Sequence, residues 1–168
     1  VIITFKRPMF MTKKYLDVHQ DAKKIGKMRY WRQGNSHNAK YDVNIEMLGF
    51  DKTYEITQQY FTIRDGVQWD VLNNGNLIAK MSTGKGLLAK DGVGFQLLNE
   101  EMTLAIEAKA FKTEGHLMLD NEHIGKTKAK GLFFNSRYVV DVFDSRLTLE
   151  PILLAGVVYA FWAASNQR

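Results

Sequence analysis

From Ile2 to Phe143 the chain alternates apolar and polar residues in short runs broken by turn signals, and after Glu150 the alternation stops. A period of two marks a strand with one face buried. The clearest case is Tyr41 to Phe50, where Tyr41, Val43, Ile45 and Met47 share one face and Asp42, Asn44 and Glu46 the other. Ile2–Phe5, Tyr15–His19, Ile25–Trp31, Tyr54–Arg64, Val67–Leu72, Asn76–Met81, Leu87–Ala89 and Val93–Leu98 also read as strands. So do Met102–Ala110, His116–Leu119, His123–Lys130 and Leu132–Phe143. Pro8 marks the first of these as an edge or a strand end, because proline cannot donate to a ladder. Gln20–Lys23, Asn73–Gly75, Asp91-Gly92 and Asp120–Glu122 are turn signals, and Asp65-Gly66 predicts a type I′ hairpin turn. About twelve strands with no helical pattern before residue 148 predict a barrel or a sandwich.

The last stretch differs in kind. Pro151 to Ala164 is fourteen residues without a formal charge, and the Tyr159 hydroxyl is its one side-chain oxygen. A helix over 149–164 is expected, with Pro151 in its first turn and Glu150 or Thr148 at its start, where negative charge suits the dipole. A helix apolar on every side must be enclosed by protein or lipid. Fourteen residues span about 21 Å, short of the roughly 30 Å of a bilayer core, so burial inside the protein is the expectation. Gly156, Ala160 and Ala164 form a small-residue stripe that allows a close approach on one side.

A faint internal repeat runs through the strands. Tyr15 to Met28, Gln68 to Met81 and Leu117 to Lys126 each read as strand, polar turn, then a strand opening on Ile, a small residue and Lys. About a dozen strands followed by one wholly apolar C-terminal helix resemble the tubby C-terminal domain superfamily. That group includes the LURP-one-related proteins, the phospholipid scramblases and small bacterial tubby-like proteins. The likeness is carried by the final strand and helix, Arg137-Tyr-Val-Val-Asp-Val-Phe-Asp-Ser-Arg-Leu-Thr-Leu and Ile152-Leu-Leu-Ala-Gly-Val-Val-Tyr-Ala-Phe-Trp, and by the hairpins at 15–28 and 117–126. The resemblance implies one mainly β domain over 1–168, a closed antiparallel barrel of about twelve strands around a buried hydrophobic C-terminal α-helix. It also implies binding of phosphoinositide lipids, although no headgroup lysine carries over to a position here.

Composition narrows the picture little, but charge changes it. The 168 residues suit one domain with a sizeable core. The absence of cysteine excludes disulfides and thiolate chemistry, and fits a cytoplasmic protein. The chain starts at Val1 rather than Met, which is compatible with further residues upstream; within it no charged-then-apolar signal segment precedes the first strand. Residues 1–40 hold ten Lys or Arg against two Asp, a net +8, whereas the remainder is net −3. Such asymmetry points to an anionic partner, although solvated strand faces are the bland alternative.

No catalytic constellation is legible. His19, His37, His116 and His123 lack metal-site spacing, and of these only His116 and His123 fall across one predicted hairpin. Ser36-His37 has no orienting acid. Thr83-Gly-Lys-Gly86 lacks the leading glycine, the hydroxyl and the following helix of a phosphate loop. Glu100-Glu101 point to opposite faces of a strand. Neither a cofactor nor a metal is implied.

Binding features are more informative. Lys126, Lys128 and Lys130 alternate, so all three ammonium groups lie on one face of one strand. Lys24, Lys27, Arg29 and Arg32, interleaved with Tyr30 and Trp31, form a second basic element; Lys6, Arg7, Phe10, Lys13 and Lys14 form a third. These residues predict a noncatalytic module, cytoplasmic and peripheral at the membrane, that docks on anionic phospholipid or phosphoinositide headgroups. The alternative is a protein-interaction or regulatory module with an acidic protein partner. Nucleic acid is disfavoured, because neither an RNA-binding aromatic motif nor a recognition helix is present.

Overall fold

The computed structural model describes residues 1–8, 12–34, 42–62, 64–83, 92–100, 102–108, 114–131 and 135–165. Among the segments discussed above, Phe10, Ser36-His37, Tyr41, 84–91, Glu101, Ala110 and Leu132 lie outside these residues. The strands are β1 (Ile2–Lys6), β2 (Leu16–Gln20), β3 (Lys23–Trp31), β4 (Asn44–Leu48), β5 (Thr53–Thr62) and β6 (Gly66–Asn73). They continue with β7 (Asn76–Thr83), β8 (Gly92–Leu97), β9 (Thr103–Ala108), β10 (Glu114–Leu119), β11 (Glu122–Lys130) and β12 (Arg137–Val142). Each pairs antiparallel with its neighbours in the chain, and β1 pairs with β12 from Ile2↔Asp141 to Lys6↔Arg137, so the sheet closes into a barrel. Closure removes every edge. Pro8 therefore marks the end of β1 and not an edge strand.

The internal repeat is a repeat of geometry. Asp21-Ala22, Asn74-Gly75 and Asp120-Asn121 each hold two successive residues at positive φ, the signature of a type I′ turn. In each case the first turn residue clamps the neighbouring strand. The backbone amides of Asp21, Asn74 and Asp120 donate to the carbonyls of Ile2, Thr53 and Thr103. The side-chain Oδ1 atoms of the same three residues accept from the amides of Ile2, Thr53 and Thr103. The return strand then takes in one extra residue. Val18 faces Gly26 while His19 faces Lys24, and the same slip places Ile78 in β7 and Ile124 in β11 as bulges. The three hairpins sit four strands apart in a ring of twelve, so the barrel is a triplicated four-strand unit.

The expected type I′ turn at Asp65-Gly66 is not one. Thr62 pairs with Gly66, and of Asp65 and Gly66 only Gly66 has positive φ, at 72°, so a three-residue connection joins β5 to β6. The Thr62 hydroxyl fixes it, accepting from the Asp65 amide at 2.9 Å. A local side chain to backbone bond has overridden the Asp-Gly preference.

The helix α1 (Pro151–Ser165) starts two residues later than 149. Pro151 fits its first position because the amide that proline lacks has no helical partner there. Glu150 supplies the first carbonyl, to the Leu154 amide, and its carboxylate meets Lys52. Every residue from Ile152 to Ala163 is buried, and Met47 of β4 fills the space that a side chain at Gly156 would take. The barrel wall supplies the other half of the core, with Ile3, Phe5, Val18, Met28, Ile45, Ile56, Trp69 and Leu104 among the inward residues. Polar atoms within the core are paired where geometry permits. Trp162 Nε1 donates to Thr127 Oγ1 at 3.1 Å, with its ring stacked on Tyr138, and Trp69 Nε1 donates to the Val43 carbonyl at 2.8 Å.

Tyr159 is the exception. Its hydroxyl is buried without a hydrogen-bond partner among the described residues, and burial pushes its pKa upward. An unsatisfied buried hydroxyl costs about 1–3 kcal/mol. Tyr159→Phe is therefore expected to raise the unfolding free energy by about 1 kcal/mol in a denaturant titration, and a lower midpoint would show that the hydroxyl is satisfied.

Candidate functional site

The outer faces of β11, β12 and β1 carry the site. Tyr138, Val140 and Val142 point into the core, so Arg137, Val139 and Asp141 point outward. Thr127 is buried beside the helix, which leaves Lys126, Lys128 and Lys130 outward, as expected from their period of two. Register then sets the rows. Lys126 lies opposite Asp141 and Lys128 opposite Val139. On the other side of β12, Ile2 lies opposite Asp141 and Thr4 opposite Val139. Arg137 stands between Lys130 and Lys6, so three exposed cations occupy directly opposed positions on adjacent strands.

These rows make a concavity on what is otherwise a convex wall. Ile2, Thr4, Lys126, Lys128, Lys130, Arg137, Val139 and Asp141 line an open groove of about 310 Å³. Its centre is low because Thr4 and Val139 are short, while the surrounding side chains are long. Val139 is only 6% exposed although it lies on the outer wall, shielded by the longer chains around it. Like charges directly opposed across strands are destabilising. Among the described residues, none of Lys6, Lys126, Lys128, Lys130 and Arg137 has a carboxylate within ion-pair distance.

The second basic element is organised differently. Lys24 is held by Asp17 at 2.7 Å, and that contact keeps the Asp17 carboxyl below its ordinary range. Arg29 is held by Glu46 at 2.7 Å, and Tyr15 donates to the same carboxylate at 2.5 Å. Partial burial pushes the Glu46 carboxyl up, yet these two hydrogen bonds outweigh it and leave it lowered. Lys27 and Arg29 lie over the Tyr15 ring at 4.5 and 5.0 Å. Arg32 reaches Asp42 at 3.6 Å. Tyr30 is not a surface aromatic: it points into the core, donates to the Asp42 carbonyl, and has its pKa pushed up to about 12 by burial. Trp31 is half-buried.

Asp42, just before β4, and Asn44, opposite Trp31 at its start, are both buried. The Asp42 carboxylate accepts from the amides of Gln33 and Gly34 and from Asn44 Nδ2. Asn44 Oδ1 accepts from Gln33 Nε2 and from the Gln58 amide. This side of the wall is a satisfied polar seam that pins the end of β3, and its charges are already used.

The two basic elements do not merge. Lys128, Val139, Thr4, His19 and Lys24 are successive cross-strand partners, so the lysines at the ends of that row are four strand spacings apart, about 19 Å. In the third element, Lys6 extends the groove's cationic end. Arg7 lies over the Tyr138 ring at 5.7 Å, and its amide donates to the Ser136 carbonyl. His116 and His123 do face each other, with ring centroids 4.8 Å apart, and Phe143 packs on the second ring. Among the described residues no group of three or more His, Asp or Glu is placed to hold a metal ion.

Arg137, Asp141, Thr4 and Val139 were missed as site residues. Positions 137, 139 and 141 share the period of two that singled out 126, 128 and 130, and their place in the next strand of the chain was the available signal. The contribution of β1 had none, since it follows from ring closure alone.

Fold and site together define a closed antiparallel barrel, plugged by its own C-terminal helix and bearing a cationic groove on its outer wall. No family model matches the chain, and no curated protein or solved structure matches it either. No helix among the described residues is long and apolar enough to cross a membrane.

Proposed function

We propose that this chain is a noncatalytic, tubby-like docking module that binds anionic phospholipid surfaces, peripherally and on the cytoplasmic side, through the outer face of β11, β12 and β1. The carrying observation is the row Lys130, Arg137 and Lys6, with Lys126 and Lys128 beside it, none of which makes an ion pair among the described residues. Directly opposed cations cost the fold stability, and an external anion removes that cost. Lysines near an anionic membrane contribute about 1 kcal/mol each. The resemblance to the tubby superfamily, whose members bind phosphoinositides, supports the same ligand class.

Co-sedimentation with vesicles of increasing acidic-lipid content tests the proposal. Binding is expected to rise with acidic lipid and fall with salt. The Lys126→Gln, Lys128→Gln double variant should lose about 2 kcal/mol, roughly 30-fold in affinity. Substituting Lys24 and Lys27 instead should change it far less, because Lys24 is paired and Lys27 rests on Tyr15. Binding that ignores acidic lipid would sink the proposal. A stable protein complex untouched by the Lys126 and Lys128 changes would favour an interaction module.

A further inference from the structure

A trap for anions alone has no use for a carboxylate, yet Asp141 lines the groove. It is partly buried and lies directly opposite Lys126 on β11 and Ile2 on β1. Among the described residues its side chain makes neither a hydrogen bond nor an ion pair, with Lys126 or with any other group. A shielded carboxylate without donors is unfavourable, and a cross-strand Lys–Asp pair would stabilise the sheet if the two met. Both groups are instead left to the groove.

The groove is consequently polar along β12. Asp141 stands at one end and Arg137, flanked by Lys130 and Lys6, at the other. Lys128 lies between them on β11, opposite Val139, which is two residues along β12 from Asp141, or about 7 Å. A complementary ligand carries an ammonium a few ångströms from a phosphate, and enough negative charge to satisfy several cations. Phosphoethanolamine has the ammonium but no second anion. Phosphoglycerol has no amine and leaves Asp141 facing only hydroxyls and phosphate. Headgroups with additional phosphates set more negative charge against Asp141. Phosphoserine has one ammonium, one phosphate and one carboxylate.

Resting on the docking function proposed above, we infer that the groove selects the phosphoserine headgroup of a lipid surface: Asp141 takes its ammonium, and Lys126, Lys128 and Arg137 take its phosphate and carboxylate. The selectivity comes from the acid, whereas the affinity comes from the bases.

The test compares the full chain on phosphatidylcholine vesicles containing equal fractions of phosphatidylserine or phosphatidylglycerol, which carry the same net charge. Phosphatidylserine is expected to bind on the order of fivefold tighter, as one partly exposed charge-assisted contact allows. Asp141→Asn keeps the shape, and its thermal melt verifies folding. It should erase the preference by weakening binding to phosphatidylserine while leaving or strengthening binding to phosphatidylglycerol. Equal binding of the two lipids by the unaltered chain overturns the headgroup selection and leaves docking intact. A preference that survives in a folded Asp141→Asn variant overturns it as well. Failure to bind either vesicle overturns the docking function itself.

Discussion

A chain ending at Glu150 is expected not to fold. Removing 151–165 takes away eight large buried side chains, namely Ile152, Leu153, Leu154, Val157, Val158, Tyr159, Phe161 and Trp162. At about 1.5–3 kcal/mol each, their burial contributes roughly 12–24 kcal/mol, more than the net 5–15 kcal/mol that typically separates folded from unfolded domains. The inner wall left behind would expose Phe5, Met28, Ile45, Met47 and Trp69 to an empty bore, which a ring of twelve strands cannot close without the helix. Expression in the soluble fraction, with circular dichroism and a thermal melt, reads the outcome. A soluble 1–150 chain with a cooperative melt would show that the helix is an accessory and not the core.

The second large effect is expected at Gly26. A Cβ there would lie 2.4 Å from the Leu48 carbonyl oxygen and 3.1 Å from Ile152 Cδ1. The obstacle is backbone of the neighbouring strand, so it cannot be relieved by a rotamer change. Gly26→Ala should cost about 3 kcal/mol, the upper end for overpacking, seen as a lower denaturant midpoint with an unchanged slope. Gly125 is its counterpart in the third hairpin, where a Cβ would meet the Asp141 carbonyl at 2.6 Å. Gly125→Ala should therefore both destabilise the barrel and disturb the groove. In the middle hairpin the same place is taken by Ala79, fully buried, so the small residue is required in all three but glycine only in two. An unchanged midpoint for Gly26→Ala would mean that β3 and β4 are not paired as Lys27↔Leu48.

Those small residues show how far the sequence could be read. The Ile-small-Lys repeat was visible as text, and the bulge gives it a physical cause. The extra isoleucine shifts the pairing of the return strand, and at Gly26 and Gly125 a Cβ on the residue after it would press on the next strand's backbone. The turns at Asp21, Asn74 and Asp120 were legible because Asx and Gly tolerate positive φ. The turn before Gly66 departs from the Asp-Gly expectation because Thr62, three residues before Asp65, supplies an alternative hydrogen bond. In the sequence Tyr30 belongs to a basic, aromatic-interleaved stretch, but its neighbours Met28 and Ile45 set it facing inward.

What the sequence determined by itself was everything governed by local periodicity. Alternation placed Lys126, Lys128 and Lys130 on one face, and the charge-free run from Pro151 to Ala164 required an enclosed helix too short to span a bilayer. What only the tertiary structure decided was which charges are spent. Lys24, Arg29 and Arg32 resemble Lys126, Lys128 and Lys130 in sequence, but the first set ends in ion pairs with Asp17, Glu46 and Asp42, whereas Lys126 and Lys128, although opposite Asp141 and Glu114 in register, make no ion pair among the described residues. Register between distant strands is set by barrel closure, which brings β1 against β12 across nearly the whole length of the chain. The helix that carries the fourteen-residue apolar run holds that closure in place from the inside, and the groove on the outside exists because of it.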